Sequence, residues 1–195
     1  LTSETGKPIS QSINELHGAV AKNSFFVQQS ERFLQQDHVN VDGNTEEIIE
    51  YDPLGVIANI SAWNYPWLVG INVFVPALIC GNGVLYKPSE FATLTGIAIG
   101  ELLWQAGVPK DVFQVIAGDG SVGSQLLSMD FDGYFFTGSY STGKAINQAV
   151  ADKLVPVGLE LGGKDPAYVR TDVPNLKAAA ISIGEGALYN NGQSC

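Results

Sequence analysis

The sequence is poor in cysteine, poor in basic residues and, over one long stretch, empty of charge. Its 195 residues include only two cysteines, Cys80 and Cys195. A disulfide scaffold needs dense cysteine, so that class is excluded. Only 10 Lys and Arg stand against 20 Asp and Glu, a net charge of −10 with histidine neutral. Nucleic-acid binders concentrate positive charge, and these basic residues are scattered thinly, so no nucleic-acid partner is expected. Charged residues make up 15% of the chain and hydrophobic residues 45%. A disordered chain shows the reverse balance. What remains is a globular chain, long enough to bury roughly 70% of its unfolded surface.

No charge occurs from Pro53 to Tyr86, a run of 34 residues. That length is enough to span a bilayer. The run is broken by Asn59, Asn64, Pro66, Asn72, Pro76 and Asn82 and by four glycines. It therefore reads as a buried strand, a loop and a buried helix, and no membrane association is expected. Leu1 opens on Thr2-Ser3-Glu4-Thr5, which is not a basic-then-apolar leader. The compartment expected is the cytoplasm. The chain has no initiator Met and stops at Asn190-Asn191-Gly192-Gln193-Ser194-Cys195, so it reads as part of a longer protein.

Residues 10–36 carry apolar residues at loosely helical spacing, and Asp42-Gly43-Asn44 marks a turn before a short strand over 45–51. Strands are then expected at 56–60, 84–86, 112–116, 134–136, 155–159 and 167–169. Helices are expected at 66–79, 93–106, 121–129, 143–151 and 175–189. Pro66 suits a first helical turn, where its missing N–H costs nothing. The alternation of strand and helix argues for a mostly parallel sheet with helices on both faces. Its strands are apolar on both sides, as buried parallel strands must be. Such sheets bind ligands beyond the carboxyl ends of their strands. Polar residues and glycines fall there repeatedly: Ser61-Ala62-Trp63-Asn64, Lys87-Pro88-Ser89-Glu90, Ala117-Gly118-Asp119-Gly120, Thr137-Gly138-Ser139 and Glu160-Leu161-Gly162-Gly163.

Gly118-Asp119-Gly120-Ser121-Val122-Gly123 matches G-x-G-x-x-G between a strand and a helix. That fingerprint normally follows the first strand of its sheet, and two strands precede this one. It is either a glycine-rich turn with tight helix packing or an unusual nucleotide contact. Gly138-Ser139-Tyr140-Ser141-Thr142-Gly143 also opens a helix, where free N–H groups favour an anion. Ser139 also suits a plain helix cap, and the two roles use the same corner. Lys87 and Glu90 read either as an ordinary helix start or as a pair facing a nucleotide. In the second case Lys87 meets a phosphate or ribose and Glu90 meets ribose hydroxyls, which favours NAD over NADP.

Glu160, between Leu159 and Leu161, is expected to be partly desolvated. Desolvation would suit it to general-base work, and pairing with Lys164 is the alternative. Cys195 lies in a polar loop and reads as a nucleophile or as an inert thiol. Cys80, at the apolar end of a helix, reads as core. Neither His17 nor His38 neighbours a catalytic motif, so no Cys–His dyad and no metal site is expected. Asn64 offers an amide to a developing oxyanion, or else caps the helix that Pro66 begins.

Together these residues resemble the NAD(P)-dependent aldehyde dehydrogenase superfamily. The blocks that carry the resemblance run in order from Pro53-Leu54-Gly55-Val56 through Trp63-Asn64-Tyr65-Pro66, Pro76-Ala77-Leu78 with Gly81-Asn82, and Lys87-Pro88-Ser89-Glu90. They continue through Phe136-Thr137-Gly138-Ser139 and Glu160-Leu161-Gly162-Gly163-Lys164 to Gly192-Gln193-Ser194-Cys195. Gly6-Lys7-Pro8 and the helix after it fit that family's N-terminal region. The resemblance implies a Rossmann-like α/β fold in three pieces. Residues 1–52 end an N-terminal region, 53–162 form an NAD-binding domain, and 163–195 start a catalytic domain.

The resemblance also implies that Cys195 is the nucleophile and that Asn64 and the Cys195 N–H hold the oxyanion. Glu160 would activate the hydrolytic water. Ile60, Ser61, Trp63, Lys87, Glu90, Gly118, Gly138, Ser139, Thr142, Gly143 and Leu161 would line an NAD site, with NADP possible. The substrate would be a small aldehyde, and the full-length protein a homo-oligomer, dimer or tetramer. Residues near Trp67 and Asn190 would border the aldehyde path. The sequence departs from the family in Ala62, where proline is common, in Ser194 beside the nucleophile, and in the absence of the downstream part. The isolated 195-residue chain is therefore expected to be inactive. Two other readings stand beside this one: a non-catalytic nucleotide-binding module, and an enzyme that passes its thioester to coenzyme A. Glu160 argues against the latter, which needs no hydrolytic base.

Overall fold

The computed structural model describes residues 1–195. A short helix α1 (Thr2–Thr5) and a long helix α2 (Ile9–Phe33) lead into a two-stranded antiparallel hairpin, β1 (Asp37–Asp42) and β2 (Thr45–Ile49). Five parallel strands follow: β3 (Val56–Ile60), β4 (Gly83–Lys87), β5 (Phe113–Val115), β6 (Gly133–Gly138) and β7 (Val157–Leu161). Helices α3 (Pro66–Ile79), α4 (Thr93–Gln105), α5 (Gly120–Ser128) and α6 (Tyr140–Val150) connect them in turn. The chain closes on α7 (Leu176–Gly192).

The sheet order is β5-β4-β3-β6-β7. The chain builds outward from β3 to β5 on one side and then returns to build β6 and β7 on the other. Alternating side chains feed two cores. Ile57, Tyr86 and Phe113 pack against Ala19, Ile71, Phe74 and Ile99 from α2, α3 and α4. Ala58 and Tyr134 pack on the opposite face with Leu126 and Val150 from α5 and α6. The expected mostly parallel sheet covered on both faces is therefore present. The charge-free run resolves into β3, α3 and most of β4. No helix is long and apolar enough to cross a membrane.

Several local expectations are corrected. The last strand runs over 157–161 instead of 155–159, so Glu160 sits in the ladder opposite Thr137. Residues 167–169 form no strand, because nothing pairs with them, and Tyr168 is 87% exposed. Strand β1, which is not among the expected elements, pairs antiparallel with β2. The final helix breaks at Tyr189 (ψ 144°), and Asn190 and Asn191 are left-handed with φ of 54° and 56°. Asparagine is one of the few side chains that tolerates this conformation.

Helices α3 and α4 start without side-chain caps of their own, at Tyr65 and Ala92. The N-terminal segment completes both. Glu15 accepts from the N–H of Trp67 at 2.8 Å, and Glu4 accepts from the N–H of Leu94 at 2.7 Å and of Thr95 at 2.9 Å. The Thr95 hydroxyl donates to Glu4 as well. Partial burial would raise the Glu4 carboxyl, but these hydrogen bonds outweigh it and hold the group below its ordinary value. A depressed carboxylate stabilises the fold above its unfolded value, and this contribution is lost as pH falls through the folded value. Glu4→Gln is therefore expected to cost about 1 kcal/mol at pH 7. The loss should shrink in urea titrations as pH falls from 4.5 through the lowered folded value. An equal loss at pH 3 and pH 7 would refute the charge-dependent cap.

Candidate active site

A parallel sheet built outward from its middle opens a crevice where the strand order reverses, because the loops leaving neighbouring strands run to opposite faces. Here that point lies between β3 and β6, whose following helices α3 and α6 cover opposite faces. An open cleft of about 700 Å³ occupies it. The expected residues Ile60, Ser61, Trp63 and Asn64 line it after β3, and Lys87 and Glu90 after β4. Gly138, Ser139 and Thr142 line it after β6, and Glu160 and Leu161 at the end of β7. Cys195 lines it from the end of the chain.

Gly118 and Gly143 stand behind this wall. A Cβ on Gly118 would sit 2.3 Å from Val122, and one on Gly143 would sit 2.5 Å from Leu161. Both glycines let a helix approach closely. The residues of the glycine-rich turn that reach the cleft are Gly120 and Gly123. Asp119, for which no cap was expected, caps α5 by accepting from the N–H of Ser121 at 2.9 Å. The Ser121 hydroxyl and N–H hold the Asp119 carboxyl below its ordinary value.

At the start of α6 the Ser139 hydroxyl accepts from the N–H of Thr142 at 3.2 Å. The first-turn N–H groups before Thr142 still point out of the helix end, as in any helix. Lys87 is buried at the foot of the cleft. Its Nζ donates to the Pro88 carbonyl at 3.2 Å and lies 3.9 Å from Glu90. Three donors with one hydrogen bond leave capacity for a further acceptor. A buried donor with spare capacity beside a helix start fits an anionic, hydroxyl-rich ligand such as a dinucleotide. Burial pushes the Lys87 ammonium below its ordinary value, against the pull of Glu90 and Asp119.

Glu160 is exposed, so the desolvation expected from its leucine neighbours is absent: in a strand, Leu159 and Leu161 point to the other face. It forms no ion pair with Lys164. Cys195 is free and exposed, whereas Cys80 is half-buried at the end of α3. The Cys195 carbonyl accepts from the N–H of Gly163 at 2.6 Å, which ties the cysteine segment to the turn after β7. No cluster of His, Cys, Asp or Glu could hold a metal ion.

Asn64 does not cap α3; that place belongs to Tyr65. Its side-chain amide donates to the Gln193 carbonyl at 2.6 Å, and the Tyr65 hydroxyl bonds Ser194 Oγ at 2.7 Å. Two neighbouring hydrogen bonds thus join the loop after β3 to the residues that precede Cys195. Sequence reading did not single out Tyr65 or Gln193 for this, nor Lys7, Glu15 and Asn190 behind them. Pairings across 129 positions leave no local pattern to read.

A parallel sheet with helices on both faces and a polar cleft at its reversal point is the Rossmann-like class of nucleotide-binding fold. More narrowly, the chain belongs to the aldehyde dehydrogenase family, whose model matches residues 1–195. It is 37% identical over 194 residues to 3,6-anhydro-alpha-L-galactose dehydrogenase of Streptomyces coelicolor, covering 98% of this chain and 39% of that protein. It is 38% identical to betaine aldehyde dehydrogenase of Rhizobium johnstonii, over 100% of this chain and 40% of the relative. Among solved structures, Mycobacterium tuberculosis aldehyde dehydrogenase complexed with NAD+ superposes with a TM-score of 0.92 at 31% identity, covering 98% of this chain and 40% of that one. The chain spans about two-fifths of the length of these relatives.

The position of Lys87 carries a stability consequence. A lysine whose folded value is depressed destabilises the fold while charged, and stability rises as pH climbs from that folded value towards 10.5. Lys87→Met should therefore raise the urea midpoint at pH 7. Its advantage should shrink by pH 10. A variant less stable than wild type at both pH values would show that the ammonium is not strained by burial.

Proposed function

We propose that the protein oxidises an aldehyde to a carboxylic acid with a nicotinamide dinucleotide, through a covalent adduct on Cys195. The observation that carries this reading is the convergence of an exposed thiol, an amide and a carboxylate on one cleft: Cys195, Asn64 and Glu160. Attack by the Cys195 thiolate on the aldehyde carbon gives a thiohemiacetal. One N–H of the Asn64 amide is held by Gln193, and the other is free for the oxyanion. The Cys195 N–H is the second donor. Bound dinucleotide supplies the hydride acceptor, and loss of hydride from the adduct leaves a thioester. Glu160, exposed on the cleft wall, takes a proton from water, which then hydrolyses the thioester and frees Cys195.

Lys87, Glu90, Ser61, Trp63 and the start of α6 would hold the dinucleotide. Ile60, Gly138, Thr142 and Leu161 would shape its bed, with Gly118 and Gly143 acting from behind. Glu90 beside a ribose disfavours a 2′-phosphate, so NAD is proposed over NADP. The Mycobacterium tuberculosis structure with NAD+ supports a dinucleotide in this fold. Its relatives' names differ in the aldehyde, and the substrate proposed is no narrower than a small aldehyde. A homo-oligomeric full-length protein is part of the same proposal.

Three variants test the assignment in the full-length protein. Cys195→Ser should lower aldehyde-dependent NADH formation by at least about a thousandfold. Glu160→Gln should keep a burst of about one NADH per site and lose steady turnover by about a hundredfold. Lys87→Met should weaken NAD binding in calorimetry about tenfold or more. Full steady turnover by Glu160→Gln would remove that residue from the hydrolytic step. Acyl-CoA as the main product would favour the coenzyme A reading instead.

A further inference from the structure

Asn64 is held by its backbone as well as by its side chain. The Asn64 carbonyl accepts from Lys7 Nζ at 2.7 Å and from the Asn190 side-chain amide at 2.7 Å. Lys7 also pairs with Glu15, and the two side chains are 1% and 0% exposed. The ammonium faces the Tyr65 ring at 4.4 Å from its centroid. The three N–H donors of Lys7 are thus directed at a carboxylate, a carbonyl and an aromatic face. The second oxygen of Glu15 accepts from the N–H of Trp67, immediately beyond the same loop. The backbone on both sides of Tyr65 is gripped by one buried ion pair. Helix α2 reaches the cysteine segment too, since Gln11 Oε1 accepts from the N–H of Asn190 at 2.7 Å.

We infer that Lys7 and Glu15, with Gln11, are positioning residues that set the Asn64 amide against Cys195. The inference rests on the proposed role of Asn64. Its physical basis is the cost of misplacing an oxyanion donor: a shift of about 1 Å can cost on the order of a hundredfold in rate. A buried, fully partnered ion pair resists such a shift, because moving either charge would strand the other away from water. The dinucleotide side of the loop is fixed independently, since the Ser61 N–H donates to the Lys87 carbonyl at 3.0 Å. Loosening the ion pair should therefore act on the rate of the chemical step and not on dinucleotide binding.

The experiment uses the full-length protein with Lys7→Met and Glu15→Gln combined, which removes both charges together and leaves no buried ion alone. The expected result is a tenfold to hundredfold lower kcat with the KM for NAD changed less than twofold. In an Asn64→Ala background the same pair of substitutions should cost less than twofold, because nothing remains to be positioned. Gln11→Ala, at a partly exposed residue, tests the same contact network without touching the ion pair. It should lower kcat about threefold to tenfold, again only when Asn64 is present. Equal losses with and without Asn64, or losses confined to KM and thermal stability, would overturn the inference. An Asn64→Ala variant with wild-type kcat would instead refute the role proposed for Asn64.

Discussion

Two helices that cover one face of the sheet begin without caps, and both are completed by carboxylates from the first fifteen residues. Unsatisfied N–H groups at a buried helix start are costly, and an anion there also meets the favourable end of the helix dipole. Glu15 supplies this to α3 and Glu4 to α4. The N-terminal segment is therefore part of the sheet's support and not an appendage. Placing Glu15 at 3% exposure would strand a charge, so Lys7 has to accompany it. Lys7 in turn carries unsatisfied donors, and the Asn64 carbonyl takes one. Each buried polar group demands the next until the chain of demands reaches the cleft.

The sheet imposes the complementary constraint. All five strands run in one direction, so every strand delivers its last residue to the same edge. The helices that follow start at that edge and turn their N–H groups towards it. This concentrates free donors and one buried ammonium, Lys87 at the end of β4, beside the point where the strand order reverses. The acidic balance is therefore compatible with the proposed anion site: the net charge of −10 describes the whole surface, while that site needs only a few local donors.

The sheet was legible because each strand is a short apolar run closed by a polar rim, a pattern carried by adjacent residues. The start of α3 was legible to the residue, since Pro66 marks it and the charge-free run sets its length. Glu160 was legible as a cleft residue and misleading in its burial: neighbouring leucines surround it in sequence but lie on the opposite face of β7. Gly118 and Gly143 were expected to line the cofactor site on the family resemblance alone, and both stand where a helix approaches closely. The strand expected over 167–169 failed for the reason that any strand fails, that β propensity without a partner leaves its backbone unpaired. The clamp on Asn64 had no signature at all. A lysine at position 7, a glutamate at 15 and an asparagine at 190 share no spacing rule with position 64.

The alternatives left open by the sequence turn out to be compatible at the helix starts and exclusive at the loops. At Ser139 the cap leaves room for the proposed anion site, because the side chain satisfies the N–H of Thr142 while the earlier N–H groups remain outside the helix ladder. At Asn64 the choice is forced. An amide that capped α3 would have to turn back onto the N–H groups that Glu15 already occupies. With that position filled, the amide is free to reach Gln193 and to keep one donor for the cleft. A carboxylate brought from a distant helix thus releases a local side chain from structural duty. Where a helix beside a ligand cleft lacks its own cap, the residue that would have capped it is the first place to look for chemistry.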